Sequence, residues 1–177
     1  MTDDTAPGQS LPDLPGINGR DAAVAEPEFD LELFFPYLVR VFYADVTQAL
    51  SAVYQRDYGM SPAEWRTMAI LGSNAHGLQA TEIVSRSSMD KVVVSRAVKR
   101  MEERGFLVRE TNAADGRSFL LRLSDEGRAV FEDLAPKLKA VERRMLSGLS
   151  QADISAFLAV AGRIRANLAG DEKGPVG

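Results

Sequence analysis

The chain has 177 residues, of which 45% are hydrophobic, so it can form one domain with a sizeable core. It has no cysteine, which excludes disulfides, a thiol nucleophile and a thiol redox sensor, and its one histidine, His76, lies in a predicted turn where we expect solvent contact only. The net charge of −4 excludes a uniformly basic surface, and the sequence shows neither an apolar run of about 18 residues nor a signal sequence. These features predict a cytoplasmic protein with no membrane partner.

The first 28 residues have an unusual composition for a core element. They hold four prolines, three glycines, several acids and no aromatic residue. Such a segment cannot bury enough apolar surface to fold alone, so we expect residues 1–28 to be a flexible acidic arm. An arm that crosses onto a partner subunit is the alternative. Residues 170–177 are predicted to be a similar short tail.

Two helical patterns follow the arm. Apolar residues recur on one helix face over residues 29–58, from Asp30 onward, and predict a dimerisation helix that ends before Gly59. Ser61-Pro62-Ala63-Glu64 then combines an N-cap serine, a proline at the first helical position and the glutamate of a capping box. We expect this second helix to end near Gly72.

Residues 79–104 have the pattern of a helix-turn-helix. Residues 79–86 predict a short helix, and residues 87–90 interrupt it with turn-forming and capping side chains. A second helix is predicted over residues 91–104, and Gly105 is suited to end it. The inward stripe of this second helix consists of Val94, Ala97, Val98 and Met101.

The outward face of helix 91–104 is basic and predicts contacts with DNA. Arg96 is the predicted base reader, because an arginine can donate two bonds to guanine O6 and N7. Phosphate contacts, which set position without reading sequence, are predicted for two lysines of this face. The complete predicted set is Lys91, Val92, Val93, Ser95, Arg96, Lys99 and Arg100. An ordinary solvated basic face is the alternative interpretation.

A hairpin is predicted after Gly105, with strands over residues 106–110 and 118–123. Its tip, Asp115-Gly116-Arg117, carries the Asp-Gly pair that is typical of tight hairpins. Arg117 at such a tip can enter a narrow minor groove, and Asp115 can orient it. A plain solvent-exposed hairpin is the alternative. The combination with the helix pair favours DNA binding and defines residues 59–123 as a winged helix-turn-helix region.

The charge distribution agrees with a localised DNA-binding surface. Residues 86–122 contain nine basic and five acidic residues, a net charge of +4, so the rest of the chain carries −8. The acidic chain as a whole therefore does not exclude nucleic acid. It indicates that binding is confined to one face and depends on salt.

Two further helices are predicted over residues 124–169, capped by Ser124 and Ser150. Their apolar stripes, like that of residues 29–58, are too extensive for one small winged helix to cover. We therefore expect a homodimer, whose two-fold axis would match a palindromic DNA site. A monomer in which these helices fold back on the chain is the alternative. The predicted fold class is mainly α with a small β-wing, a winged helix-turn-helix domain flanked by N- and C-terminal dimerisation helices.

Several segments together resemble the MarR family of winged-helix bacterial regulators. The matching segments are Ser61–Trp65, Val94–Val98, Arg100–Leu107, Asp115–Arg117 and Leu123–Arg128. The resemblance covers residues 61 to about 128, and the flanking helices extend it to roughly 30–168. It implies a dimer layer formed by the first, fifth and sixth helices. It also implies a small effector that changes the spacing of the two recognition helices, with repression as the default mode.

An effector pocket is implied between the dimer helices and the winged helix. The predicted lining combines aromatic side chains with two guanidinium groups and consists of Phe35, Arg40, Phe42, Tyr43, Trp65, Arg66 and Met68. Such a lining suits an aromatic carboxylate or an aromatic acyl-CoA thioester. The Glu64-Trp65-Arg66 run resembles the subgroup that controls the breakdown of aromatic acids such as hydroxycinnamates. The alternative is that these residues are only core or surface.

The predicted function is that of a homodimeric, sequence-specific DNA-binding regulator, released from a palindromic operator by an aromatic anion. The alternative is a winged-helix adaptor that binds proteins and not DNA. An enzyme is not expected, because the sequence shows no placed histidine, phosphate loop or metal-ligand cluster, and no cofactor or metal is predicted. The operator, the effector, the regulated genes and the role of residues 1–28 do not follow from the sequence.

Overall fold

The computed structural model describes residues 29–112 and 118–171. The predicted acidic arm, the tip of the hairpin and the last six residues lie outside these ranges. The described residues form a mainly helical structure with one two-stranded antiparallel sheet, which confirms the predicted fold class. The elements are α1 (Phe35–Tyr58), α2 (Pro62–Gly72), α3 (Ala80–Ser87), α4 (Lys91–Glu103), β1 (Leu107–Thr111), β2 (Phe119–Leu123), α5 (Asp125–Met145) and α6 (Gln151–Asp171).

The start of the first helix differs from the prediction. The apolar periodicity begins at Asp30, but residues 31–33 form a turn and α1 begins at Phe35. Pro36 explains the difference, because its ring would clash with the carbonyl group four residues earlier if the helix extended further back. A proline in the first turn of a helix avoids this clash, and this places the helix start next to Pro36.

The starts of α2 and α5 agree with the capping residues in the sequence. The Ser61 hydroxyl accepts a hydrogen bond from the Glu64 amide at 3.2 Å, and the Ser61 amide donates to the Glu64 carboxylate at 2.8 Å, which completes the capping box. Ser124 caps α5 through the Gly127 amide at 3.0 Å. These bonds satisfy backbone donors that a helix start leaves without partners.

The described chain divides into two compact units, residues up to Gln48 and residues from Ala49. In the first unit, the rings of Phe29 and Phe34 lie 5.3 Å apart just before α1. In the second unit, one core joins the winged region to α5. Its fully buried side chains include Met60, Met68, Leu71, Ile83, Val94, Met101 and Leu134.

The hairpin is anchored at its base to the rest of the winged region. Leu107 pairs with Leu123 and Thr111 with Phe119, so the two strands are antiparallel and in register up to the tip. Leu78, just before α3, forms an additional bridge with Leu121. The hairpin therefore projects from a fixed base beside α4. Along the described part of the chain, no helix is long and apolar enough to cross a membrane.

Candidate nucleic-acid interface

Helix α4 presents one face to the core and the opposite face to solvent. The Asp90 side chain accepts a hydrogen bond from the Val93 amide at 2.9 Å and caps the helix. The four predicted inward residues are buried, as the apolar spacing predicts; they are Val94, Ala97, Val98 and Met101. The predicted polar contacts are all exposed on the outward side; they are Lys91, Ser95, Arg96, Lys99 and Arg100.

The two predicted valine contacts differ in exposure. Val92 is 57% exposed and lies on the same side of α4 as Arg96, so its methyl groups are available to an apolar group such as a thymine methyl. Val93 is half-buried, which leaves it less surface for such a contact. The predicted set is therefore brought together on one helix, with Val93 at its margin.

Ion pairs sort the basic residues of the winged region into two groups. Four arginines are held by neighbouring carboxylates: Arg86 by Glu82 (3.7 Å), Arg104 by Glu64 (3.5 Å), Arg109 by Glu102 (3.0 Å) and Arg122 by Glu110 (3.2 Å). Among the described residues, Lys91, Arg96 and Arg100 make no ion pair. Their charges therefore remain available for an external anion.

Lys99 is intermediate between the paired and the unpaired basic residues. Its amino group lies 3.7 Å from the Glu103 carboxylate, and both side chains are highly exposed. A solvent-exposed pair of this kind contributes little to stability, so Lys99 can exchange its partner for a phosphate at low cost. With Lys99 included, the outward face of α4 offers four cations.

The hairpin is fixed to α4 by an ion pair that the spacing of residues in the sequence does not reveal. The guanidinium group of Arg109 on β1 donates to both Glu102 oxygens on α4, at 3.0 and 3.1 Å, and this carboxylate raises the pKa of Arg109. The same guanidinium lies 5.6 Å from the centre of the Phe119 ring on β2. A bidentate pair holds both groups in one geometry, so it sets the position of the hairpin relative to α4.

The predicted wing contacts, Asp115 and Arg117, lie outside the described residues. At the base of the hairpin, the Asn112 amide donates a hydrogen bond to the Ser118 carbonyl at 2.9 Å.

A groove of about 790 Å³ lies between the base of the hairpin, α3 and α4. Its floor is apolar, with Val84, Val98 and Leu121, and its rim carries Lys91, Lys99 and Arg109.

The residues predicted to bind an effector fall into two sets. Phe35, Arg40, Phe42 and Tyr43 belong to the first unit and are exposed, with the Arg40 guanidinium 5.1 Å from the Tyr37 ring centre. Trp65, Arg66 and Met68 belong to the second unit and have internal contacts. The effector site itself stays a prediction.

The second set has clear packing roles. Trp65 stacks between Tyr54 and Phe131, with ring centres 6.3 and 6.2 Å away, and Met68 is fully buried. Arg66 donates to the Ser87 carbonyl at 3.3 Å and thereby links α2 to the end of α3. Each of the three residues therefore contributes to the core or to helix packing, whatever else it binds.

Other classes of site have little support within the described ranges. His76 is exposed in the turn before α3, as predicted. Across residues 29–112 and 118–171, no group of three or more potential ligands could hold a metal ion.

Comparisons with known proteins agree with the geometry. A model of the MarR family matches residues 58–118. The transcriptional repressor MdtR of Bacillus subtilis, described as of the helix-turn-helix type, is 27% identical over 141 residues, which cover 73% of this chain and 90% of MdtR. The crystal structure of a MarR-family transcriptional regulator from Silicibacter pomeroyi is 29% identical, with a TM-score of 0.63, and covers 78% of this chain and 92% of that one.

A further solved structure shows the same fold with DNA present. It is the Staphylococcus aureus MepR–DNA complex, with a TM-score of 0.69 and 18% identity, covering 76% of this chain and 98% of MepR. At 18% identity, this similarity shows only that the two proteins share a fold.

Proposed function

We propose that this chain is a MarR-family winged-helix transcriptional regulator, a homodimeric repressor that reads a palindromic operator through α4. The observation that carries the proposal is the outward face of α4, where Lys91, Arg96 and Arg100 keep their charges without an ion pair inside the described chain. A helix of this kind fits the major groove of B-DNA, where arginine can read guanine.

The residues of α4 have distinct proposed roles. Arg96, beside the exposed Val92 and Ser95, is the base reader, and Lys91, Lys99 and Arg100 contact phosphates. Arg117, with Asp115 in support, is proposed to enter the adjacent minor groove. The Glu102–Arg109 pair supports this arrangement because it holds the base of the hairpin against α4.

Dimerisation is proposed from the apolar surface of the flanking helices. Throughout α6, none of the residues whose side chains are described is buried, and Leu158 and Leu168 are 63% and 67% exposed. In the first unit, Phe35, Leu38 and Val39 on α1 are also exposed. Exposed apolar stripes of this extent mark interaction surfaces, and a second copy of the chain would cover them. Two recognition helices would then face half-sites about 34 Å apart.

The proposed DNA contacts are tested by selecting duplexes from a random pool and titrating the selected sequence against salt. We expect a palindrome and a steep decrease of affinity with salt. Arg96→Ala should lower affinity by about 1–3 kcal/mol and relax base preference at one position of each half-site. Arg100→Ala should weaken binding to all sequences alike and reduce the salt slope by about one.

The matched control is Lys139→Ala, which removes an exposed cation from α5. It should leave both affinity and specificity unchanged. If the wild-type protein binds no duplex at low salt, the protein-binding adaptor becomes the better interpretation and the outward face of α4 is only a solvated surface.

We also propose that an aromatic anion, a carboxylate or an acyl-CoA thioester, releases the protein from its operator. Its proposed contacts are the exposed side chains of Phe35, Arg40, Phe42 and Tyr43 on α1. Such a ligand acts by binding the DNA-incompetent arrangement more tightly. Hydroxycinnamate and its CoA thioester should raise the melting temperature and lower operator affinity, whereas a neutral aromatic alcohol of the same size should do neither. Arg40→Ala should abolish this response while operator binding remains.

A further inference from the structure

Tyr58, the last residue of α1, makes two polar contacts, one through its backbone carbonyl and one through its side-chain hydroxyl. Its carbonyl oxygen accepts a hydrogen bond from the Arg104 guanidinium, at the end of α4. Its hydroxyl donates to the Asp133 carboxylate on α5 at 2.5 Å. One residue therefore links the end of the DNA-reading helix to the long helix that follows the hairpin.

The Arg104 end of this link is held from several sides. Arg104 is the C-cap residue of α4, and its guanidinium lies 3.5 Å from the Glu64 carboxylate, which is almost completely buried at the start of α2. The same group lies 4.6 Å from the centre of the Phe106 ring. With these partners around it, the guanidinium faces the interior of the winged region and is not positioned as a phosphate contact.

The α5 end is held by a second pair of contacts. The Lys137 amino group donates to Asp133 at 2.6 Å and to Asp57 at 3.2 Å. Asp57 and Tyr58 are consecutive at the end of α1, and Asp133 and Lys137 are one helical turn apart on α5. Two adjacent residues of α1 are thus bound to one face of α5.

Helices α4 and α5 share α2 as a packing partner, but their other partners differ. Helix α4 also packs on α3 and β1, whereas α5 also packs on β2. The contacts from Asp133 through Tyr58 to Arg104 are a polar connection between the two helices. A change in the angle of α5 would therefore reach the end of α4 through Tyr58.

We propose that Asp133, Tyr58 and Arg104 form a positioning tie that sets the angle of α4 relative to α5 and so determines which half-site spacing the dimer accepts. The inference rests on the proposed function, since spacing has meaning only for a dimer that reads two half-sites. None of the three residues contacts DNA in this proposal. They act by orienting the residues of α4 that do.

The test uses a library of duplexes in which the two selected half-sites are separated by spacers of different length. Wild-type protein should prefer one spacing. Tyr58→Phe removes only the hydroxyl and keeps the ring and the carbonyl, so the fold should remain. We expect at least a threefold change in the affinity ratio between the preferred and the next-best spacing, with an unchanged salt slope. Arg104→Lys should produce the same change.

Two controls separate positioning from a general structural effect. Tyr37→Phe removes a tyrosine hydroxyl elsewhere on α1, and Arg122→Lys alters an arginine paired on the hairpin surface. Both should leave the spacing profile unchanged. If the three residues act in series, the double variant Tyr58→Phe/Arg104→Lys should resemble each single variant rather than the product of the two effects.

The possible outcomes are distinct. A spacing profile of Tyr58→Phe that superposes on that of the wild type overturns the tie, even if overall affinity decreases. Additive effects in the double variant overturn the series connection. If the wild-type protein binds no duplex, the proposed function fails and the tie fails with it, whereas failure of the tie alone leaves operator binding by the wild type intact.

Discussion

Gly127 and Phe106 approach each other so closely that no side chain fits between them. A Cβ atom added to Gly127 would lie 2.0 Å from the Phe106 carbonyl oxygen. Gly127 is in the first turn of α5 and Phe106 is the residue before β1, so this contact joins α5 to the base of the hairpin. The absence of a side chain at position 127 permits the contact.

We expect Gly127→Ala to destabilise the protein by about 2–3 kcal/mol, because α5 must move away from the hairpin base to admit the methyl group. Urea unfolding followed by circular dichroism measures the change. Gly162→Ala on α6, where the added Cβ meets no atom within 4 Å, is the control and should be neutral or stabilising by up to about 1 kcal/mol. Equal stability of the two variants would contradict the prediction.

Ser124 combines a helix cap with a second contact. Its hydroxyl accepts from the Gly127 amide at 3.0 Å and donates to the Gly105 carbonyl at 2.6 Å. Ser124→Ala removes both bonds and should cost about 1–2 kcal/mol. Ser124→Asp keeps a capping acceptor but has no donor for the Gly105 carbonyl. Its stability should therefore lie between that of the wild type and that of Ser124→Ala. A Ser124→Asp variant as stable as wild type would show that the bond to Gly105 contributes nothing.

Thr67 is fully buried on α2, and its hydroxyl oxygen has no hydrogen-bond partner among the described residues. A buried hydroxyl without a partner loses its bonds to water and receives nothing in exchange. Thr67→Val should therefore raise stability by about 1 kcal/mol, or the melting temperature by about 2–4 °C. Thr81→Val, at an exposed position of α3, should change the melting temperature little. A decrease for Thr67→Val would indicate that the hydroxyl is bonded after all.

The ion pair between Lys137 and Asp133 should make stability depend on pH. Lys137 and the Tyr58 hydroxyl lower the pKa of Asp133 below its usual 3.8, and Asp133 raises the pKa of Lys137 above 10.5. A carboxylate with a lowered pKa stabilises the fold above its unfolded pKa, and this contribution disappears as pH falls through the folded value. A lysine with a raised pKa contributes below its unfolded pKa and loses the contribution at more alkaline pH.

The melting temperature of Lys137→Met should consequently fall below that of wild type between about pH 5 and 9, and the two should converge toward about pH 2–3. Both side chains are exposed to solvent, so the difference should be small and should decrease with salt. Lys139→Met, which removes an exposed lysine on the same helix, is the control and should show no such pH dependence. A constant difference down to pH 2 would exclude the ion pair as its cause.

Much of the fold was determined by local sequence. The capping box at Ser61, the cap at Ser124 and the inward stripe of α4 depend on residues three or four positions apart, and the structure confirms all of them. The outward residues of α4 could be assigned for the same reason, since helical spacing alone places Arg96 and Arg100 away from the buried Val94 and Met101. At the start of α1, apolar spacing alone would extend the helix back to Asp30, whereas Pro36 is suited to the first turn and the helix begins at Phe35.

The tertiary structure alone decided which charged side chains are already paired within the protein and which aromatic rings are packed in its core. In the sequence, Arg109 looks equivalent to any other arginine of the basic segment, but Glu102 on another element binds it, so its charge is less available to an external anion. Likewise Arg104 is bound to Tyr58 and Glu64, and Met68 and Trp65 are packed in the core. Such pairings join residues that are distant along the chain, and helical periodicity carries no information about them. The sequence by itself thus determined the elements and their faces, whereas the packing of those elements decided which side chains remain free to bind.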